Sequence, residues 1–228
     1  MKFRNLIITL LFIAASLQAM AQIEKDRFHL YGGGRQVQLK GFAEAFTDLT
    51  AVEGTAAIDL GASAGIILYR QFYLGFYGQK LFSEPQRNSL SDIGRPEFTN
   101  AYIKMFHAGG VLGYMYEPSK LLHPGFTAYG GIGRIDLMAT DPVKSSSAMI
   151  YDDNILVIQP KAMLEMNVTK WCKINLKAGY RFVAKINTFY TSPADETIAV
   201  FRSADYNKPM VSFSLLLGWF GANEVLFD

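Results

Sequence analysis

The sequence predicts an all-β protein: an eight-stranded antiparallel up-and-down transmembrane β-barrel. Three observations lead there. Eight segments alternate polar and apolar residues with a period of two, which sends neighbouring side chains to opposite faces of a sheet. The connections between them alternate between tight turns and long polar stretches. Half of the residues are apolar and 14% are aromatic, while only 18% are charged; an ordinary soluble domain carries ~25% charged residues. Disorder is incompatible with that apolar content.

The chain opens on a targeting signal. Lys2 and Arg4 precede an apolar run from Leu6 to Leu17, and Ala19-Met20-Ala21 supplies the small-x-small pattern of a cleavage site. Residues 1–21 read as a secretory signal peptide, leaving residues 22–228 as a single barrel domain. The run is too short for a membrane helix, which needs ~20 residues, and no Cys follows it to carry a lipid anchor. Without Lys2 and Arg4, 20 basic residues balance 20 acidic ones. A neutral chain offers no basic surface for nucleic acid. Past residue 21 no apolar run is long enough for a spanning helix. Crossing a membrane then requires a closed barrel, because hydrocarbon cannot satisfy open backbone groups.

The strands follow in order. Val37–Phe46 is a blurred first one, and a moderate connection spans Asp48–Thr55. In the second, Ile58, Leu60, Ala62, Ala64, Ile66 and Leu68 oppose Asp59, Gly61, Ser63 and Gly65. A tight turn at Tyr69–Phe72 leads to Phe72–Phe82, and a long loop occupies residues 83–98. Thr99–Tyr116 and Phe126–Leu137 flank a short connection that holds Pro118 and Pro124; residues 138–153 form the second long loop. Ile158–Val168 places Gln159, Lys161, Glu165 and Asn167 opposite Ala162, Leu164 and Met166. After a tight turn at Thr169–Cys172, Lys173–Phe182 alternates Lys173, Asn175, Lys177 and Arg181 with Ile174, Leu176 and Tyr180. Residues 186–207 form the third long loop, and Val211–Trp219 the last strand. Short turns at one end and long loops at the other are the asymmetry of outer-membrane barrels.

Alternation also fits a soluble barrel with its apolar face inward. That alternative, a periplasmic or soluble barrel binding an apolar small ligand, expects a cavity lined by Leu60, Leu164, Leu176 and Leu215. Strand length, glycines sharing the polar face, and aromatics near the short turns favour the membrane. Tyr69, Phe72, Tyr73, Tyr114, Tyr116, Trp171, Trp219 and Phe220 are the expected interfacial aromatics. The lumen then holds Lys40, Glu44, Asp59, Lys161, Glu165, Lys173, Lys177 and Arg181, with Lys104 a further candidate. Such charges must pair, and Glu165 with Lys177 or Arg181 is the expected pair. The network is read as a plug that fills and fixes the barrel.

Gly109–Tyr116, then Leu121-Leu122-His123-Pro124, then Ala128–Gly133 carry a resemblance, as do Ile158–Lys161, Leu164–Trp171 and Gly179–Phe182. Over roughly residues 55–220 the chain resembles the small eight-stranded outer-membrane β-barrel proteins of Gram-negative bacteria, of a Bacteroidetes type. The resemblance implies a fold and a place in the cell outer membrane, not a reaction. It also implies contact with outer-membrane lipid and with the barrel assembly machinery during biogenesis. Phe227 precedes the terminal Asp228, a departure from the terminal aromatic of such barrels.

Chemistry is sparse. His29, His107 and His123 adjoin no nucleophile motif, so the protein is expected not to be an enzyme; a lipid A-modifying barrel enzyme using His107 is the alternative. Asp136, Asp141, Asp152 and Asp153 lack calcium-loop spacing, and the Gly32–Gly34 run lacks a phosphate-loop context. No cofactor or metal is expected. Cys172 has no partner cysteine. The role is expected in the loops, as surface contact or envelope structure, with Phe98, Phe189, Tyr190, Phe201 and Tyr206 as candidate contacts for an unknown surface ligand.

Overall fold

A computed structural model describes residues 39–87, 90, 99–140, 147–191, 197–218 and 220. The signal segment, His29, Gly32–Gly34, Phe98 and Trp219 lie outside the described residues. Alternating residues build the long strands β1 (Leu39–Val52), β2 (Thr55–Leu68), β3 (Phe72–Leu81), β5 (Thr99–Met115), β6 (Leu122–Thr140), β7 (Ser147–Asn167), β8 (Cys172–Ala184) and β11 (Lys208–Gly218). Short elements decorate the loops: β4 (Gln86–Arg87), β9 (Phe189–Thr191), β10 (Thr197–Ala199) and the helix α1 (Ser203–Tyr206).

Each long strand pairs antiparallel with its neighbours along the chain, β3 with β5 across the short β4. The pairing of β1 with β11 closes the ring, for example Ala45 against Leu215. The fold is therefore an eight-stranded antiparallel up-and-down barrel. Closure removes every open edge, which in hydrocarbon would leave unpaired backbone groups.

The connections differ from expectation at two places. Asp48–Thr55 is not a loop: β1 and β2 continue to a two-residue turn at Glu53-Gly54. Both turn residues have positive φ, 48° and 79°, which matches the twist of a tight hairpin. Sequence alternation is blurred there because the inward row of β1 mixes Phe42 and Phe46 with Glu44 and Asp48. The loop of residues 138–153 is shorter as well, since β6 runs to Thr140 and β7 starts at Ser147. At 19 and 21 residues, these two strands exceed the ~9–11 residues of a tilted membrane crossing.

Glycine sets the curvature. Gly131 faces the lumen on β6, and a Cβ there would lie 2.2 Å from the Ala108 carbonyl oxygen and 2.9 Å from the Tyr77 hydroxyl. Both are inside contact distance, and the first neighbour is backbone that cannot give way. Gly131→Val is expected to cost about 1–3 kcal/mol or more through overpacking. The check is the fraction of protein that shows the faster migration of a folded barrel on an unheated gel.

Candidate functional site

Successive inward positions on seven strands supply the polar groups of the lumen. They are every second residue of β1, β2, β3, β6, β7, β8 and β11, so the sheet period aims them at one axis. An eight-stranded barrel has room for side chains and little else. Here they form a ladder of buried ion pairs in three tiers.

The lowest tier lies at the short-turn end. Glu165 accepts from Lys173 Nζ at 2.6 Å, from the Tyr73 hydroxyl at 2.7 Å and from His123 Nε2 at 2.9 Å. His123 Nδ1 lies 3.0 Å from the Lys120 carbonyl oxygen. Lys173 also sits over the Phe220 ring, 4.6 Å from its centre. The middle tier centres on Glu44. Lys177 donates to it, as do Ser214 at 2.6 Å, Ser63 at 2.9 Å and Tyr129 at 3.2 Å. Lys177 also donates to the Tyr129 oxygen at 2.9 Å.

The upper tier joins two carboxylates. Lys161 donates to Asp48 at 2.7 Å and to Ser212 at 3.0 Å. Arg181 donates to Asp59 at 2.7 Å, and Gln79 bridges Asp48 at 2.7 Å and Asp59 at 3.3 Å. The Arg181 guanidinium reaches further, to the main-chain oxygens of Tyr206 and Ala51. No ladder ion is more than 5% exposed, so each charge depends on its partner rather than on water.

Several expectations need correction. Glu165 pairs with Lys173, not with Lys177 or Arg181, which instead meet Glu44 and Asp59. The β7–β8 register puts Lys177 opposite Met163 and leaves Asn167 opposite Lys173. Lys177 and Arg181 therefore find carboxylates on β1 and β2. Lys104 faces outward, its ammonium 5.2 Å from the centre of the Tyr102 ring. His107 on the opposite face of β5 is buried, with Nδ1 3.1 Å from the Tyr77 hydroxyl. Lys40 lies on the inward face of β1 near the short-turn end and is half-buried.

Among the expected interfacial aromatics, Tyr69, Phe72 and Trp171 are exposed at the short-turn end. Tyr73 and Phe220 are not. Tyr73 points into the lumen to serve Glu165. Phe220 folds under the lumen, its amide bonded to the Lys170 carbonyl at 3.0 Å. Asp48, Ser63, Tyr73, Gln79, His123, Tyr129, Ser212 and Ser214 escaped the sequence reading as members of the ladder. Asp48 was hidden in a supposed loop, and the serines and tyrosines carry no formal charge to flag them.

Above the ladder the lumen changes character. Val52, Leu81, Ile103, Met105, Ile135, Leu137, Ile155, Val157 and Val183 form a buried apolar core. Phe201 and Tyr206 drop into it from the last long loop, so neither is a free contact aromatic; Phe189 remains exposed. Burial pushes the Tyr206 phenol well above its ordinary value, keeping it neutral. Arg87 donates to the Val200 carbonyl at 2.8 Å and the Glu53 amide to the Asp205 carbonyl at 3.2 Å, which fasten this segment down.

The outer face inverts at the same level. Beside the ladder it is apolar: Leu60, Leu164, Leu176 and Leu215 are 40–55% exposed. These four residues do not line a cavity, which overturns the soluble-barrel expectation. Beside the apolar core the outer face of β5–β7 is polar, with Lys104, Arg134, Asp136, Asp152 and Asn154.

No family model matches the chain, and no curated protein matches it. Solved structures do. A major outer membrane protein from Thermus thermophilus aligns with TM-score 0.53 at 9% identity, over 79% of this chain and 98% of that one. Neisserial surface protein A aligns with TM-score 0.47 at 10% identity, over 80% and 99%. The N-terminal β-barrel domain of Pseudomonas aeruginosa OprF aligns with TM-score 0.46 at 12% identity, over 80% and 99%. The Thermus alignment supports the same fold, that of the small outer-membrane β-barrels.

Proposed function

We propose that this chain is an outer-membrane β-barrel protein with a structural or surface-contact role, whose charged lumen is a closed plug and not a conduit. One observation carries the proposal: on β5–β7 the polarity of the barrel wall inverts at one level. Beside the ladder the exterior is apolar and the charges lie inside, next to buried Phe42, Phe46, Val111 and Met163, as hydrocarbon outside requires. Above it, on β5–β7, the exterior is charged and the interior apolar, as water outside requires. On β7 the outward row that is suited to hydrocarbon runs from Leu156 to Met166, close to the ~9–11 residues of a tilted crossing. The short turns then face the periplasm and the apolar-cored head faces outside the cell. The Bacteroidetes resemblance and cleavage after Ala21 belong to this proposal, as do contacts with outer-membrane lipid and the barrel assembly machinery.

The proposed role is non-catalytic. His107 is sealed in the lumen beside Tyr77, away from both lipid and solvent, and His123 is held between Glu165 and the Lys120 carbonyl. The exposed ridge of the head offers the contact surface. Extraction of membranes with carbonate and urea is expected to leave the protein in the pellet. The unheated protein should migrate faster on a gel than the boiled one. Release into the soluble fraction would refute the membrane placement.

A further inference from the structure

We infer that the outer face of β3, β5 and β6 holds one lipid with a phosphomonoester headgroup, its phosphate on Lys80 and Lys104 and an acyl chain in the hollow beneath them. The inference rests on the membrane placement above and adds a ligand to it.

The strand register lays out the surface. Lys80, Phe106 and Arg134 stand side by side on adjacent strands, with Lys104 and Asp136 in the row above. These rows sit where the apolar exterior ends, the depth at which lipid headgroups begin. The row below reads Gly78, Ala108 and Ile132, and the next Phe76, Gly110, Gly130 and Ile158. Small residues thus form a floor between tall walls. Phe76 is 80% exposed and Ile132 73%, the two most exposed large apolar side chains on this side. A Cβ added at Gly78 or Gly130 would meet nothing within 4 Å, so the hollow opens outward.

Charge selects the headgroup. Arg134 is neutralised by Asp136 at 2.6 Å and Asp152 at 3.2 Å. Among the described residues, exposed Lys80 forms no ion pair, and Lys104 forms none either, its ammonium resting on the Tyr102 ring. Two cations at the head of an apolar hollow complement a dianion carried on an acyl chain. Basic residues at an anionic membrane surface each add affinity, and hydrocarbon contact adds more.

The test uses the folded full chain in detergent, read by native mass spectrometry. The probes are dioleoyl phosphatidate and dioleoylglycerol, which differ by the phosphate, with inorganic phosphate as competitor. Phosphatidate is expected to remain bound, dioleoylglycerol to be lost, and free phosphate at equal concentration to displace nothing. The K80Q/K104Q variant should bind phosphatidate about 30-fold more weakly. Gly130→Leu, whose Cβ meets no atom within 4 Å, fills the hollow and should weaken binding several-fold. Both variants should keep the faster migration of the unheated barrel. Equal retention of dioleoylglycerol, displacement by free phosphate, or unchanged binding by folded Gly130→Leu protein would overturn the inference. Carbonate extraction judges the membrane placement separately, so the two can fail independently.

Discussion

Glu44→Ala is expected to lower folding stability by about 3–5 kcal/mol, the scale seen when one partner of a buried ion pair is removed. Glu44 accepts from Lys177, Ser214, Ser63 and Tyr129 in the middle of the ladder. Removing it strands the Lys177 ammonium, which is 2% exposed, and leaves three hydroxyls without their acceptor. The Coulombic gain of such a pair is largely offset by desolvation. The intact pair need therefore contribute little, although its breakage is severe. The double variant E44M/K177M, which removes both charges and keeps volume, should recover most of the loss. Urea unfolding in lipid vesicles, followed by tryptophan fluorescence, measures both. An unchanged midpoint for Glu44→Ala would mean that water reaches Lys177, and the closed lumen would be lost with it.

Much of this ladder was legible from alternation alone, because a period of two assigns faces without reference to tertiary structure. Glu165, Lys173, Lys177 and Arg181 lie in two clean runs, and all four are buried inward. The pairing was not legible. Side chains from β1 and β2 meet those of β7 and β8 across the barrel axis, and that meeting depends on strand tilt and stagger. Local sequence carries neither. Hence Glu44 rather than Glu165 takes Lys177. The inversion on β5 also misled the reading of Lys104. A reader who expects polar residues to point inward along a whole strand puts Lys104 in the lumen, yet at its level of β5 the inward neighbours Ile103 and Met105 belong to the apolar core. The apolar plug of Phe201 and Tyr206 was invisible because loop aromatics look alike whether they fold in or out.

Phe213→Arg and Met138→Arg separate hydrocarbon from water as the surroundings of the barrel. Both positions face outward in the sheet alternation. Phe213 lies midway along the outward row of β11 and is 57% exposed to whatever surrounds the protein. Met138 lies on β6 two residues beyond Asp136, among the polar residues of the head. If hydrocarbon surrounds Phe213, an arginine there destabilises the barrel by about 2–4 kcal/mol, the range for a cation near the bilayer midplane. At Met138 the same substitution should stay within about 0.5 kcal/mol, as expected of a solvated surface. A soluble barrel would tolerate both alike, since each would be an exposed side chain exchanged for a hydrated one. Unfolding of both variants in vesicles of the same lipid supplies the comparison. The difference between them is the informative quantity, because it cancels any general cost of arginine in a strand. A difference near zero would remove the physical ground for placing β11 in a bilayer. A difference of the expected size would mark the level between Phe213 and Met138 as the outer boundary of the hydrocarbon.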